Sequence, residues 1–346
     1  MENNRPHNTV NWKLWTGLLL SALFLYLAFR QVDIWKTGAI IASSDYTILL
    51  PAALITIIQY FIRALRWEIF LCHIQKTCFK NRLLSIFTGF AANCVLPARL
   101  GEIVRANALG QIERISKSAV FGTLVIERLF DGLIMLIIIV IGLMNTTFPP
   151  EFNHIIKRIR WSALVFFFGI VLLMMFISLI RRRPDIFQRV TDKILFMFSE
   201  AVRKKINLIL DNFFLGLSPV KGYSPLVNAF LWSSILWGLS LCQIQLVGIA
   251  TGIRLPFVTS FIIMGFLSVG VMVPSAPGFI GAYHLAGQYA YMVLGISAEA
   301  GLSAATLLHA LFFIPTVIIG VFAFTRLQTV CGRIKISNKV NNNGSS

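Results

Sequence analysis

The sequence predicts an all-α polytopic membrane protein, with about seven to nine membrane segments that include one or two re-entrant broken-helix hairpins. Three observations predict it. Of 346 residues, 57% are hydrophobic and only 13% charged, whereas a soluble domain carries about 25% charged residues. The apolar residues fall in blocks near the ~20 residues that a helix needs to cross a hydrocarbon core. Lys and Arg collect in some of the connections between those blocks and are sparse in others, the ordinary mark of cytoplasmic against external loops. The net charge of +17 is therefore interleaved between spans, which argues against nucleic acid as a partner.

In chain order the candidate segments are 12–29, 46–62, 83–97, 118–144, 161–180, 225–250, 256–273, 279–296 and 300–324. Residues 1–11 read as an N-terminal tail. The first apolar run, Leu14–Phe29, ends in "FRQVDIW" without a small-residue cleavage site, so it reads as a retained span rather than a signal peptide. Arg63, Arg66, Lys76, Lys80 and Arg82 lie in one connection, and Arg99, Arg105, Arg114 and Lys117 in the next. Nine more Lys/Arg lie between Arg181 and Lys221, and four follow Phe324. The connections 30–45, 145–160 and 251–255 hold six between them. These counts place both termini in the cytoplasm of a cell with an inner membrane.

Segment 83–97 is basic on both sides, and a full span cannot begin and end in the same compartment. It is also short, and Pro97 and Gly101 follow it. The consistent solution is a re-entrant hairpin: 83–96 enters, the chain turns at "LPARLG", and 102–115 returns. Such irregular backbone is tolerated at membrane depth only when buried in protein or lining a wet cavity. A second hairpin is expected over 266–287, with two apolar arms around Pro274, Pro277, Gly278 and Gly281; two ordinary spans joined by a Pro/Gly turn are the alternative. "PARLG" (97–101) and "PGFIG" (277–281) place proline and glycine at the same offset, and each hairpin follows a long span. The pattern permits an inverted repeat, span–hairpin–span in each half.

Residues 185–218 mix apolar positions at helical spacing (Ile186, Val190, Ile194, Met197, Ala201) with basic ones. They read as an amphipathic helix on the cytoplasmic surface, drawn to anionic lipid heads, or as a solvated connector. The integral-membrane domain is expected to occupy 12–325, and 326–346 to form a cytoplasmic tail whose "NKVNNNGSS" end is polar and disordered. Five cysteines show no CxxC or metal spacing; no metal or cofactor is implied.

The chemistry-bearing residues lie in or beside the spans. Glu127, Arg128 and Asp131 interrupt an otherwise apolar segment. Each intramembrane charge costs about 2.5–3.5 kcal/mol on insertion scales, so such residues pair, face the interior and mark function. Arg128 and Asp131 are spaced to pair at i, i+3, and Glu127 and Asp131 share a face at i, i+4. A self-neutralising pair that fixes packing is the plain alternative. The triad has net charge −1, and Arg99 and Arg105 are the expected basic partners. Arg63 and Arg66 stand one turn apart before Trp67; they read equally as interfacial anchors and as a bidentate phosphate site. Asn93 either caps or lines the first turn. His284 follows the second turn and His309 lies in the last span, in packing roles or as proton or head-group contacts.

Four motifs in order, "RALRW" (63–67), N-x-x-x-P-x-R-x-G-E-x-x-R (93–105), "ERLFD" (127–131) and "PSAPGFIGAYH" (274–284), resemble one family. It is the flippase-like membrane domain of lysylphosphatidylglycerol synthases and its stand-alone, uncharacterised relatives. The resemblance covers residues 12 to 325. It implies an inner-membrane protein with broken helices that moves a lipid, or helps to move one, between leaflets. Family synthases carry a soluble aminoacyl-transfer domain after this region; here the chain ends about 20 residues after the last span, so synthase activity is not expected.

The reading is a lipid translocase, a non-enzyme without catalytic residues, that binds a phosphate-containing lipid head in a midplane cavity while the tails stay in the bilayer. Arg63, Arg66, Arg99 and Arg105 would hold phosphate. Glu102, Glu127 and Asp131 would balance them, with Asn93, Arg128, His284 and His309 lining the site. Pro97, Gly101, Pro274, Pro277, Gly278 and Gly281 would allow the turns. The partners are membrane lipids, anionic or phosphate-bearing. Two alternatives belong to other classes: an intramembrane transferase on lipid-linked substrates, with Glu127 and Asp131 as acid and base, and a non-catalytic membrane partner of a glycosyltransferase.

Overall fold

The computed structural model describes residues 12–30, 32–96, 100–182, 191, 193–197, 199–217, 223–273 and 277–343. Among these, twelve α-helices and three short 3-10 turns account for the regular structure. The helices are α1 (Trp12–Phe29), α2 (Ile34–Ala42), α3 (Tyr46–Leu71), α4 (Phe79–Val95), α5 (Gly101–Ile112) and α6 (Lys117–Asn145). They continue as α7 (Asn153–Arg182), α8 (Glu200–Gly216), α9 (Tyr223–Ala250), α10 (Thr259–Met272), α11 (Ala282–Met292) and α12 (Ala298–Asn343). Every one of the nine apolar segments lies largely within one of these helices. Among the described residues, three stretches are long and apolar enough to cross a membrane: Tyr46–Leu71, Ser224–Ala250 and Ala298–Val330.

Capping explains where two helices begin. Asp33 accepts from the Trp35 and Lys36 amides at 2.9 and 3.2 Å to start α2, a helix within the expected 30–45 connection. Asp45 accepts from the Thr47 hydroxyl and amide to start α3; each satisfies an amide that the first turn leaves without a partner. Further on, the amphipathic segment resolves as α8, beginning at Glu200, after a 3-10 turn at Leu195–Met197. Ile186 and Val190 lie outside the described residues.

Helices α3 and α9 run antiparallel. Gln243 Nε2 donates to the Ala52 carbonyl and the Thr56 hydroxyl, each at 2.8 Å, while Gln59 Nε2 donates to Ser240 Oγ at 2.7 Å. Thr56 Oγ1 also donates to the Leu311 carbonyl at 3.1 Å, the acceptor that Pro315 inside α12 leaves free for want of an N–H. At other crossings small residues let backbones close, Gly320 on Ala91, Gly287 on Ala305 and Gly122 on Gly216, as packing in an apolar solvent requires.

Two helical hairpins follow α3 and α9. In the first, α4 and α5 touch at Gly89, where a Cβ would stand 2.8 Å from the Arg105 Cβ and 2.8 Å from the Gly101 carbonyl oxygen. In the second, α10 and α11 touch at Gly270, where a Cβ would meet the Ala286 Cβ at 2.7 Å and the Ala282 carbonyl oxygen at 2.9 Å. One constant offset in numbering relates Gly89 to Gly270, Gly101 to Ala282, Arg105 to Ala286, and the first residues of α6 and α12. The expected matching of Gly101 with Gly281 is therefore wrong by one position. The two glycines have different jobs: Gly101 admits the α4 backbone, whereas Gly281 adopts φ +89° and lets α1 approach.

Contacts repeat between the halves: α3 with α4 as α9 with α10, α5 with α6 as α11 with α12, and α4 with α12 as α10 with α6. The hairpins also meet, since a Cβ on Gly278 would lie 3.4 Å from the Cys94 carbonyl oxygen at the end of α4. Among the described residues three apolar cores result, two of them large. One surrounds Ala52, Ile244, Ile263 and Tyr291; the other surrounds Trp67, Ile86, Leu109 and Leu124. On α6 the change from one core to the other falls at Asp131, between Phe130 and Ile134.

Candidate functional site: a buried arginine–carboxylate cluster

Glu127, Arg128 and Asp131 occupy consecutive turns of α6 and face α3, α5 and α9. Arg66 of α3 grips Asp131 with both nitrogens, Nη1 to Oδ1 at 2.5 Å and Nη2 to Oδ2 at 3.2 Å. It also reaches Glu127 Oε1 at 3.1 Å and donates to Ser233 Oγ at 2.7 Å. Arg105 of α5 forms a parallel fork on Glu127, with both N···O distances at 2.9 Å. Its guanidinium lies 3.8 Å from the centre of the Trp67 ring, and Trp67 Nε1 in turn donates to Thr123 Oγ1 at 3.0 Å. Arg128 donates to Glu127 Oε1 at 2.6 Å and stands 3.4 Å from Asp131 Oδ2. Trp237 Nε1 donates to Asp131 Oδ1 at 3.3 Å.

One carboxylate thus holds three guanidiniums. Bidentate, charge-assisted bonds of this kind are the strong ones, and they are what makes buried ions tolerable. Arg66, Arg105, Glu127 and Asp131 are all buried. Glu102 and Arg128 form the cluster's open edge, with side chains 26% and 39% exposed and Arg128 Nε 3.7 Å from Glu102 Oε1. Arg63, one turn before Arg66, lies over the Phe90 ring at 5.0 Å. Its buried Nη1 has no hydrogen-bond partner among the described residues. Four arginines (63, 66, 105, 128) therefore face three carboxylates (102, 127, 131).

Of the two expected partners of the triad, Arg105 pairs with Glu127, and Arg66 pairs with the triad as well. Arg66 reads equally as an interfacial anchor and as part of a phosphate site because it ends an apolar run; α3 continues to Leu71 and buries it. Pro97, Arg99 and Pro274 lie outside the described residues. Asn93 caps α5, its Oδ1 accepting from the Gly101 amide at 2.7 Å. His284 and His309 sit at the second hairpin, their rings 4.8 Å apart. There His309 Nε2 bonds the Gly278 carbonyl at 2.7 Å and its ring stacks on Phe313. Pro277 and Gly278 form the 3-10 turn there. Ser233 and Trp237 are not among the expected site residues, although "WSS…W" (232–237) interrupts an apolar helix; Trp67 is expected only as the neighbour of Arg66.

A bundle of apolar helices with two hairpins and a central arginine–carboxylate cluster defines a helical membrane protein. The family model described as the lysylphosphatidylglycerol synthase TM region matches residues 14–320, and the chain belongs to that family. Among curated relatives, glycosyltransferase AglD of Haloferax volcanii is 24% identical over 352 residues, 94% of this chain and 56% of that protein. UPF0104 membrane protein PH1989 of Pyrococcus horikoshii is 24% identical over 88% of this chain and 93% of its own length. UPF0104 membrane protein MJ1595 of Methanocaldococcus jannaschii is 27% identical over 34% of this chain and 36% of its own. The chain thus spans little more than half of AglD and about a third of MJ1595. No solved structure matches.

Proposed function

We propose that the protein is a lipid translocase that binds the anionic, phosphate-bearing head of a membrane lipid at the arginine cluster. The observation that carries this is the surplus cation: four arginines against three carboxylates, with a buried Arg63 nitrogen unpaired. An uncompensated buried charge is costly, and a phosphate oxygen supplies both the missing acceptor and the missing charge. Arg63 and Arg128 are the contacting groups. Arg66 and Arg105 are committed to Asp131 and Glu127, and hold those carboxylates in place. Arg99 joins the phosphate contacts on sequence grounds. In this reading the α4–α5 and α10–α11 hairpins are re-entrant, the count of membrane segments is seven to nine, and the protein sits in the inner membrane with both termini in the cytoplasm.

Native mass spectrometry of the purified protein with phosphatidylglycerol and phosphatidylcholine of identical chains tests it. Anionic lipid is expected to bind about tenfold better, with the preference lost in Arg63→Ala and weakened in Arg128→Lys, which keeps charge but loses the fork. Indifference to head charge rejects the reading. The name of the relative AglD favours a second reading, a membrane partner of a glycosyltransferase. Tighter binding of a polyprenyl phosphate sugar than of phosphatidylglycerol would select it.

A further inference from the structure

The same numbering offset matches Glu102 with Tyr283, Ile103 with His284, Asn107 with Gln288 and Arg128 with His309. The pairing is independently consistent: Glu102 faces Arg128, and Tyr283 faces His309 with ring centres 5.2 Å apart. In the second half, helix α1 covers this face of α11. Ser21 Oγ donates to the Ile280 carbonyl at 2.6 Å, a Cβ on Gly281 would strike the Ser21 carbonyl at 2.6 Å, and Gln288 Nε2 donates to the Ala28 carbonyl at 3.0 Å. His284 is buried there, whereas its counterpart Ile103 is 56% exposed and Leu100, the counterpart of Gly281, is 39% exposed. No described helix lies over α5 as α1 lies over α11.

We propose that the face of α5 formed by Leu100, Ile103 and Asn107 is the seat of the bound lipid's acyl chains, through which the lipid enters sideways from the bilayer. This rests on the head-group reading above. The occupant is a lipid rather than a helix because of what borders the face. At α11 the neighbouring pair, Tyr283 and His309, can be neutral and tolerates a covering helix. At α5 the neighbouring pair is Glu102 and Arg128, an ion pair with partly exposed side chains, and a covering helix would strip their water without supplying a partner. An amphiphile brings an apolar body for Leu100 and Ile103 together with an anionic head for the surplus arginine.

The test places a photoreactive p-benzoylphenylalanine at position 103 of the full chain, with a second at Leu54, 51% exposed on α3, as the lipid-facing control. Both proteins are reconstituted in vesicles of equimolar phosphatidylglycerol and phosphatidylcholine, irradiated, and their adducts read by mass spectrometry. Adducts at 103 are expected to be enriched about tenfold in phosphatidylglycerol, and those at 54 to mirror the vesicle. Protein–protein adducts at 103 overturn the proposal in favour of a second copy. Adducts at 103 in vesicle proportions also overturn it. If the anionic preference seen by native mass spectrometry survives that result, only the lateral seat fails. If the preference is absent as well, the head-group reading falls with it.

Discussion

Asp131 and Arg63 are neighbours in one cluster, yet they stand in opposite energetic positions. Asp131 neutralises Arg66 through two bonds and accepts from Trp237. Removing it leaves a buried guanidinium short of charge, a loss that typically costs about 3–5 kcal/mol. Arg63 has an unsatisfied nitrogen and no ion pair among the described residues, so its removal relieves a cost. Asp131→Ala is therefore expected to lower the detergent melting temperature sharply. Arg63→Ala is expected to leave it unchanged or raise it while abolishing preference for anionic lipid. Equal destabilisation by both, with lipid preference intact, would make the cluster purely structural. The charged triad was legible in the sequence because polar residues interrupt an apolar run. Which arginine answers which carboxylate was not, because that depends on how far α3 extends and how it is rotated against α6. These are properties of packing and not of spacing along the chain.

The hairpins show how much an element's identity and its register differ in legibility. Proline and glycine after a short apolar run announce the first turn, and the structure puts α4 against α5 with Gly101 at the contact. A Cβ on Gly101 would run into the Gly89 carbonyl and the Asn93 side chain. Gly101→Ala is expected to destabilise the protein by about 1–3 kcal/mol, the usual cost of overpacking. Gly38→Ala, in open space on α2, is expected to be neutral or to stabilise by about 0.5–1 kcal/mol. Paired melting curves check this, and equal shifts would remove the claim of close contact. The start of α3 offers a pH probe. The Thr47 hydroxyl and amide bond the Asp45 carboxylate and hold its pKa below the ordinary value. The depressed value makes this cap contribute above the unfolded pKa, and the contribution disappears as pH falls through the folded one. Asp45→Asn is expected to flatten the acid limb of stability between those two values, read as melting temperature against pH. The register of the second turn was misread because the sequence shows two P-x-x-x-G strings but not what each glycine is for. In the first string glycine admits a neighbouring backbone, and in the second it adopts a left-handed conformation.

For the whole molecule the decisive question is on which side of the membrane each connection lies, and the structure adds a constraint to the charge count. Glu113, at the end of α5, ties back to the connection between α3 and α4. Its carboxylate accepts from the Cys78 amide at 2.9 Å and Asn81 Nδ2 at 2.8 Å, and its carbonyl accepts from Gln75 Nε2 at 3.2 Å. The chain therefore leaves α3 and enters α6 at one end of the bundle, having travelled down α4 and back up α5. Basic residues crowd that end from Lys76 to Arg82 and from Arg114 to Lys117, and the positive-inside rule predicts a cytoplasmic location for loops so charged. Lys76 and Lys117 are both exposed. In a background with the native cysteines replaced by serine, Lys76→Cys and Lys117→Cys are each expected to react with a membrane-impermeant maleimide only after the membrane is opened. Both should be protected in intact cells. If either position labels from outside while the other does not, α4 with α5 crosses the bilayer as a true span. The readings of the α4–α5 hairpin as re-entrant and of the two halves as an inverted repeat then both fail. Concordant protection would instead put both connections in one compartment, which leaves the α4–α5 hairpin no route except in and out of the same face.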